Sequence, residues 1–371
     1  MHKLHDRSSG SHVAASGVAR RAAPRPASRA GRPAQGAGVR TDVLSDVLGS
    51  LRLSGSMFFL VDAAEPWATR APRAAEFAPW VLPGVRHLVS YHVVTQGDCW
   101  AGIEGGVPQR LEAGDIFVVP HGDAYFLAGP GPAPPIPDGP GTLAFFREMA
   151  AGRLRPVVAA GGDGPVQARF ICGFLGCDAL AFDPLLGALP PMIHLRRAAA
   201  ANDRMGPLVE LALRELRERR RGGHSVLLRL SELMFIEVVR CVVESGEAPR
   251  TGWMAGLRDP VAGRALALLH AAPAQAWTLG LLASETGVSR SVLAERFARA
   301  VGQPPMRYLA CWRMMLAARR LADGTAPVKR VAASVGYESE AAFSRAFSRH
   351  AGVAPALWRK RARSNDDETE T

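Results

Sequence analysis

The feature that most limits what this chain can become is a spacing that occurs twice near its carboxyl end. In the first copy Ala283 stands four residues before Gly287, and Phe297 five before Gly302; in the second, Ala332 stands four before Gly336, and Phe347 five before Gly352. Two short helices packed closely need a small residue where they touch, and the turn between them needs a residue that tolerates positive φ. Alanine and glycine meet those demands. On each second helix an apolar pair four residues apart, Leu293 with Phe297 and Phe343 with Phe347, makes a core-facing stripe. The other faces are left to Arg290, Arg296, Arg299, Ser344, Arg345 and Arg349, and Ser289 and Ser339 sit where N-caps belong. The spacing predicts two helix-turn-helix motifs in one domain, and hence a chain that binds duplex DNA.

Charge is distributed to match. Residues 253–363 carry 17 Lys/Arg against 6 Asp/Glu, whereas residues 41–252 carry 20 against 23. A basic end beside a near-neutral middle suits a sensor joined to a module that neutralises backbone phosphates. Cysteines number five, Cys99, Cys172, Cys177, Cys241 and Cys311, an odd count with no regular framework. That pattern points to a reducing compartment. No apolar run approaches the roughly 20 residues a membrane span requires, and the N-terminus lacks the compact apolar core of a secretory signal. These readings together predict a cytoplasmic protein with no membrane partner.

The stretch from about Asp259 to Arg363 resembles the DNA-binding domain of the AraC/XylS family. The likeness rests on Pro304, Tyr308, Arg313, Ala317 and Leu321 between the motifs, and on a closing signature of Val331-Ala332, Val335-Gly336-Tyr337, Ser339, Phe343, Phe347, Gly352, Pro355, Trp358 and Arg359. Trp358 stands where tyrosine is commoner. Earlier in the chain, Leu111 to Asp123 resembles the second conserved strand-turn block of a cupin and Arg86 to Val94 the first. Short β-favouring runs bounded by Gly and Pro, at Met57–Val61, His87–Thr95, Asp115–Val119 and Ala168–Phe174, fit such a barrel.

The expected architecture is α+β. Residues 1–40 read as a disordered basic tail, 41–200 as a cupin-like effector-binding β-barrel and 201–245 as a helical segment for dimerisation or packing. A linker is expected at 246–258, the all-α DNA-binding domain at 259–363 and a disordered tail at 364–371. The Pro- and Gly-rich segment from Pro130 to Gly141 reads as a loop.

By resemblance, each recognition helix enters a major groove, and the helix starting near Pro304 sets the two about one duplex turn apart. The family's base-reading positions fall on Ser291, Ala294 and Glu295 in the first motif, and on Glu340, Ala341, Ser344 and Arg345 in the second. Arg345 suits a bidentate contact to guanine, and Glu295 or Glu340 an acceptor for a cytosine amino group. Glu340 equally suits a charge that stabilises a helix N-terminus. Arg290, Arg296, Arg299 and Arg349 are expected on phosphate.

A catalytic cupin gathers about three imidazoles and a carboxylate on one metal. Here His87 and His92 are five apart and point to opposite faces of a strand, and Tyr125 occupies the position of the second block's histidine. An enzyme is therefore not expected. A small organic effector touching His92, Trp100 and Tyr125 is the default reading of the barrel. A structural zinc or a redox centre drawn from His92, His121, Cys172 and Cys177 is an alternative, although Cys172-x4-Cys177 is wider than a common zinc knuckle. The resemblance further implies a homodimer and an activator that contacts RNA polymerase. Two rival classes are a metal-dependent cupin enzyme fused to a DNA-binding module and a constitutive dimeric DNA binder.

Overall fold

A computed structural model describes residues 42–50, 53–130, 140–153, 155, 157–177, 185–197, 203–245 and 252–369. The first element is a helix, α1 (Val43–Ser50), entered through Asp42, whose carboxylate accepts from the Ser45 backbone and hydroxyl. Ten strands follow: β1 (Leu53–Ala64), β2 (Ala68–Ala71), β3 (His87–Gln96), β4 (Asp98–Ile103), β5 (Gln109–Glu112), β6 (Ile116–Val119), β7 (Tyr125–Ala128), β8 (Val157–Gly161), β9 (Val166–Cys177) and β10 (Ile193–Leu195). Helix α2 (Ala74–Val81) lies between β2 and β3, and α3 (Pro140–Ala150) between β7 and β8. All four runs read from the sequence as strands are strands.

The strands group into two sheets, in the orders β10-β6-β3-β9-β1-β8 and β2-β7-β4-β5. Alternation along the larger sheet assigns its two faces. On β3 and β9, Val94, Phe170 and Cys172 point toward the smaller sheet, where Cys99, Ala101, Leu111, Tyr125 and Leu127 complete a shared core. Val89, Tyr91, Val93, Ile171 and Leu175 point the other way, into a second apolar cluster. Both faces being covered, β3 is buried almost without interruption, which is why its sequence reads as a continuous apolar run. Against part of the same sheet, α2 and α3 stack Phe77 on Phe146 at 4.0 Å with Phe174 edge-on.

The outer cluster is roofed by α4 (Gly206–Glu218) and α5 (Gly223–Glu244). It continues into eight further helices: α6 (Trp253–Arg258), α7 (Pro260–Ala271), α8 (Leu279–Thr286), α9 (Arg290–Val301), α10 (Pro305–Asp323), α11 (Val328–Ser334), α12 (Glu340–Ala351) and α13 (Pro355–Thr369). The fold is thus α+β, a sheet-rich amino-terminal part and a helical carboxyl-terminal part, as the sequence predicts. Among the described residues no helix is long and apolar enough to cross a membrane.

Two expected boundaries move. The end of the linker, 253–258, is the helix α6, with Trp253 buried and its indole N–H donating to the Tyr308 hydroxyl at 2.9 Å. Gly256, which suggests a flexible joint, is there for packing, since a Cβ would lie 2.6 Å from Val301. Residues 246–251 of that linker lie outside the described residues, as do the tail 1–40 and most of the loop, 131–139. At the other end α13 runs to Thr369 rather than stopping at Arg363, because no glycine or proline interrupts it.

Candidate nucleic-acid interface and the interior of the sheet-rich domain

The first motif is α8, a turn, and α9. Thr278 caps α8, its hydroxyl accepting from Leu281 at 3.1 Å, and Ala283 is buried where α8 meets α9. Gly287 turns the chain at φ +75°, and Ser289 caps α9 through the Val292 backbone at 3.3 Å. Leu293 and Phe297 are fully buried. Their burial leaves Arg290, Ser291, Glu295 and Arg299 exposed.

The second motif repeats this plan with α11 and α12. Ala332 is buried, Gly336 turns at φ +82°, and Ser339 caps α12 through Ala342 at 3.3 Å. Phe343 and Phe347 are fully buried; Glu340, Arg345 and Arg349 are exposed and Ser344 is half-buried. Glu340 opens the helix, at the end where a negative charge is favoured. Between the motifs, α10 spans 19 residues, about 28 Å at the helical rise. That length is close to the roughly 34 Å of one duplex turn.

The arginines expected at DNA differ in how far they are free to reach it. Arg296 is tied to Asp259, the cap of α7, at 2.8 Å, and Arg299 pairs with Glu295 on its own helix. Arg345 has no ion pair or hydrogen bond among the described residues. Arg313 and Arg359 are spent inside the domain on backbone carbonyls: Arg313 on Pro273 and Gln275, and Arg359 on Leu321 and Ala326.

Between the two sheets, register places His92 opposite Cys172 and Phe117. The His92 Nδ1 lies 3.0 Å from the Cys172 sulfur, and its ring is 5.0 Å from Tyr125. Burial lowers the His92 pKa to about 3 and pushes the Cys172 thiol and Tyr125 phenol well up, so all three are neutral. Trp100 does not join them. It is 39 % exposed on the outer face of β4, between the fully buried Cys99 and Ala101, because successive strand residues alternate.

The four candidate metal or redox ligands are not brought together either. Cys177 is five residues from Cys172 and faces the opposite side of β9, in the outer cluster. His121 is engaged by the Leu189 carbonyl at 2.9 Å. Among the described residues no three His, Cys, Asp or Glu groups are gathered as a metal centre would require. With its thiol held protonated, Cys172 is a poor nucleophile.

Two sets of residues that sequence reasoning missed join the sheet-rich part to the helical part. Arg86 lies 4.3 Å over the ring of Trp358 and donates to the Ala351 carbonyl at 3.5 Å. Tryptophan gives such a cation a better π-face than the commoner tyrosine. Elsewhere α1 packs on α7 and α10. Trp253 donates to the Tyr308 oxygen, Tyr308 and His270 Nε2 share a 2.7 Å hydrogen bond, and His270 Nδ1 stands 3.4 Å from Asp46 on α1. These are tertiary pairs separated widely in sequence, and no local pattern announces them.

Comparison with known proteins adds the lineage. A family model described as a cupin matches residues 42–244, and one described as a helix-turn-helix domain matches residues 282–361. The chain is 33 % identical over 326 residues to a protein of Streptomyces lividans named as an AraC-like transcription regulator, covering 86 % of this chain and 98 % of that one. A protein of Streptomyces antibioticus with the same description is 33 % identical over 320 residues, with the same coverage. The HTH-type transcriptional regulator AlkR of Acinetobacter baylyi is 27 % identical over 325 residues, covering 86 % of this chain and all of AlkR.

Proposed function

Because the chain belongs to the AraC-like family of DNA-binding transcription regulators, with a cupin domain ahead of its paired helix-turn-helix motifs, we propose that it is an effector-controlled activator. Its relatives are named as regulators rather than enzymes. In this reading it works in the cytoplasm as a homodimer, sits on a promoter through both motifs and recruits RNA polymerase. A small molecule bound to the sensor changes the geometry in which the motifs meet DNA. Arg345 reads guanine, Ser291, Glu295, Glu340 and Ser344 complete the base contacts, and Arg290, Arg296, Arg299 and Arg349 hold phosphate.

The observation that carries this reading is that the helical part is not tethered loosely to the sensor but pinned to it, by Arg86 on Trp358 and by α1 beside His270. A sensor attached in this way has a route by which occupancy can bias the DNA-binding domain. Val226 and Leu233, seven residues apart on α5, and Leu211 on α4 are exposed apolar side chains that a homodimer contact would cover. A constitutive dimeric binder would need that contact but would not need the pins.

A promoter fusion tests the proposal. Arg86→Ala should raise expression in the absence of effector by about threefold or more, the loss of an interaction worth somewhat over 0.5 kcal/mol. Unchanged basal and induced expression would reject control through this contact. A metal-dependent cupin enzyme would in addition need a set of imidazoles around His92, where the chain has Cys172, Phe117 and Tyr125 instead.

A further inference from the structure

A cavity of about 580 Å³ lies outside the β core, between the larger sheet and the α4–α5 hairpin. Its floor is Val93 and Ile116, which point to the face opposite His92, together with Leu195. Val209 and Leu213 of α4 form the roof. The volume is that of ordinary small-molecule sites, and an apolar body with a few polar groups at one end is their usual design. The interior between the two sheets, by contrast, is an apolar core in which Trp67, Phe117, Tyr125 and Phe170 are buried.

The polar end holds four carboxylates, Asp203, Glu210, Glu237 and Glu244, against three guanidinium groups, Arg196, Arg197 and Arg204. Glu237, Cys241 and Glu244 follow one another along one side of α5, and Glu210 faces them from α4. Glu237 is only 17 % exposed. Glu210 has no ion pair or hydrogen bond among the described residues. Arg204 approaches Glu237 and Glu244 only at 4.0 and 3.9 Å from a largely exposed position, a loose contact beside the 2.7 Å bond of Arg240 to Glu237. The Cys241 thiol registers the balance: burial raises its pKa first, and Glu237 and Glu244 then outweigh Arg204 and Arg240. Arg196 and Arg197 at the cavity edge are exposed to solvent.

We propose that this cleft is a binding site for an organic cation with an apolar body, an amine or quaternary ammonium whose charge sits among Glu210, Glu237 and Glu244 while its hydrocarbon lies on Val93, Ile116 and Leu195. The proposal deepens the effector-control reading and rests on it only for the consequence at DNA. The cleft is walled by α5, which in chain order precedes α6 and the helices of the DNA-binding domain.

Cys241 supplies a direct test, because it is partly exposed in the cleft wall while Cys99, Cys172, Cys177 and Cys311 are buried. The full chain is alkylated with N-ethylmaleimide, with decyltrimethylammonium or decanoate present below their micellar concentrations, and Cys241 modification is followed by mass spectrometry. The cation should slow alkylation about fivefold, as expected when roughly four sites in five are occupied, and the matched anion should have little effect. Val209→Trp, which fills the cavity, should abolish the protection, and Glu210→Gln should weaken the cation's affinity about two- to fivefold, the range of a partly exposed ion pair. No protection, equal protection by both amphiphiles, or protection that survives Val209→Trp would overturn the site. Protection of Cys241 without any change in promoter affinity would uphold the site and remove effector control from it.

Discussion

The two helix-turn-helix motifs share one plan and use their surroundings differently. In the first, Arg296 and Arg299 are held by Asp259 and Glu295, and the turn glycine meets no atom where a Cβ would stand. In the second, Arg345 is exposed without such a partner, and the turn glycine is pressed against the loop before α8: a Cβ on Gly336 would lie 2.6 Å from the Ala274 carbonyl oxygen. The domain's other arginines reinforce that side, with Arg313 on Pro273 and Gln275, Arg320 on Ser334, and Arg359 on Leu321 and Ala326. Duplication of a motif therefore does not imply duplication of its role. The second motif is the better anchored; the first has Arg296 and Arg299 partly spent within the fold, while its Arg290, like Arg345, has no ion pair or hydrogen bond among the described residues.

The turn glycines give the largest test of that difference. Gly287→Ala faces only the backbone cost of a left-handed residue, about 1 kcal/mol. Gly336→Ala faces the same cost and a collision with backbone that cannot rotate away, which should bring the loss to about 3 kcal/mol. Urea unfolding of the full chain followed by tryptophan fluorescence should show the second substitution as clearly the worse. Equal losses would mean that the second motif is not braced by the loop at Ala274.

The same contrast shows what could be read from the chain alone. The alanine, glycine and serine of each motif were legible because a tight helix pair imposes local demands that few residues satisfy. Alternation likewise placed His92 apart from His87. Trp100 lies on β4, a strand outside the runs legible in the sequence, so alternation had no frame in which to assign its face. Cys172 and Cys177 are five apart on β9 and fall on opposite faces by the same alternation that separates His87 from His92. The contacts of Arg86 with Trp358 and of Asp46 with His270 join elements far apart in sequence, and the cleft under α4 and α5 exists only once the sheet and hairpin are assembled. Gly256, inside the segment expected as a linker, is instead a close packing contact.

Base reading should follow the freer arginine. Arg345→Ala is expected to cost about 1–3 kcal/mol on an operator duplex, the worth of a bidentate guanine contact, and much less on a scrambled one. Arg299→Ala should cost both duplexes about equally and by well under 1 kcal/mol, since its charge is already shared with Glu295. Gel shifts on both duplexes at two salt concentrations separate the cases. Should Arg299→Ala instead abolish operator preference, the first motif would be the principal reader and the assignment of roles would reverse.

The finest expected difference concerns acid. Asp259 caps α7 by accepting from Val261 and Ala262, both at 2.8 Å, and holds Arg296 of the first recognition helix. Burial works to raise its pKa, but the two backbone hydrogen bonds and Arg296 together outweigh burial and leave it lowered. A carboxylate whose folded pKa is depressed contributes stability that is present above its unfolded value, near 3.9, and is lost as pH falls through the folded value. The corresponding braces of the second motif end on backbone carbonyls, which do not titrate over that range. Hydrogen exchange of the full chain between pH 5 and pH 3 should therefore show α7 and α9 losing protection before α12. Asp259→Asn, which keeps a capping oxygen but no charge, should remove that pH dependence at a stability cost of about 1 kcal/mol or less. If α9 and α12 lose protection together in both proteins, Asp259 is a cap alone and the first motif has no acid-sensitive brace.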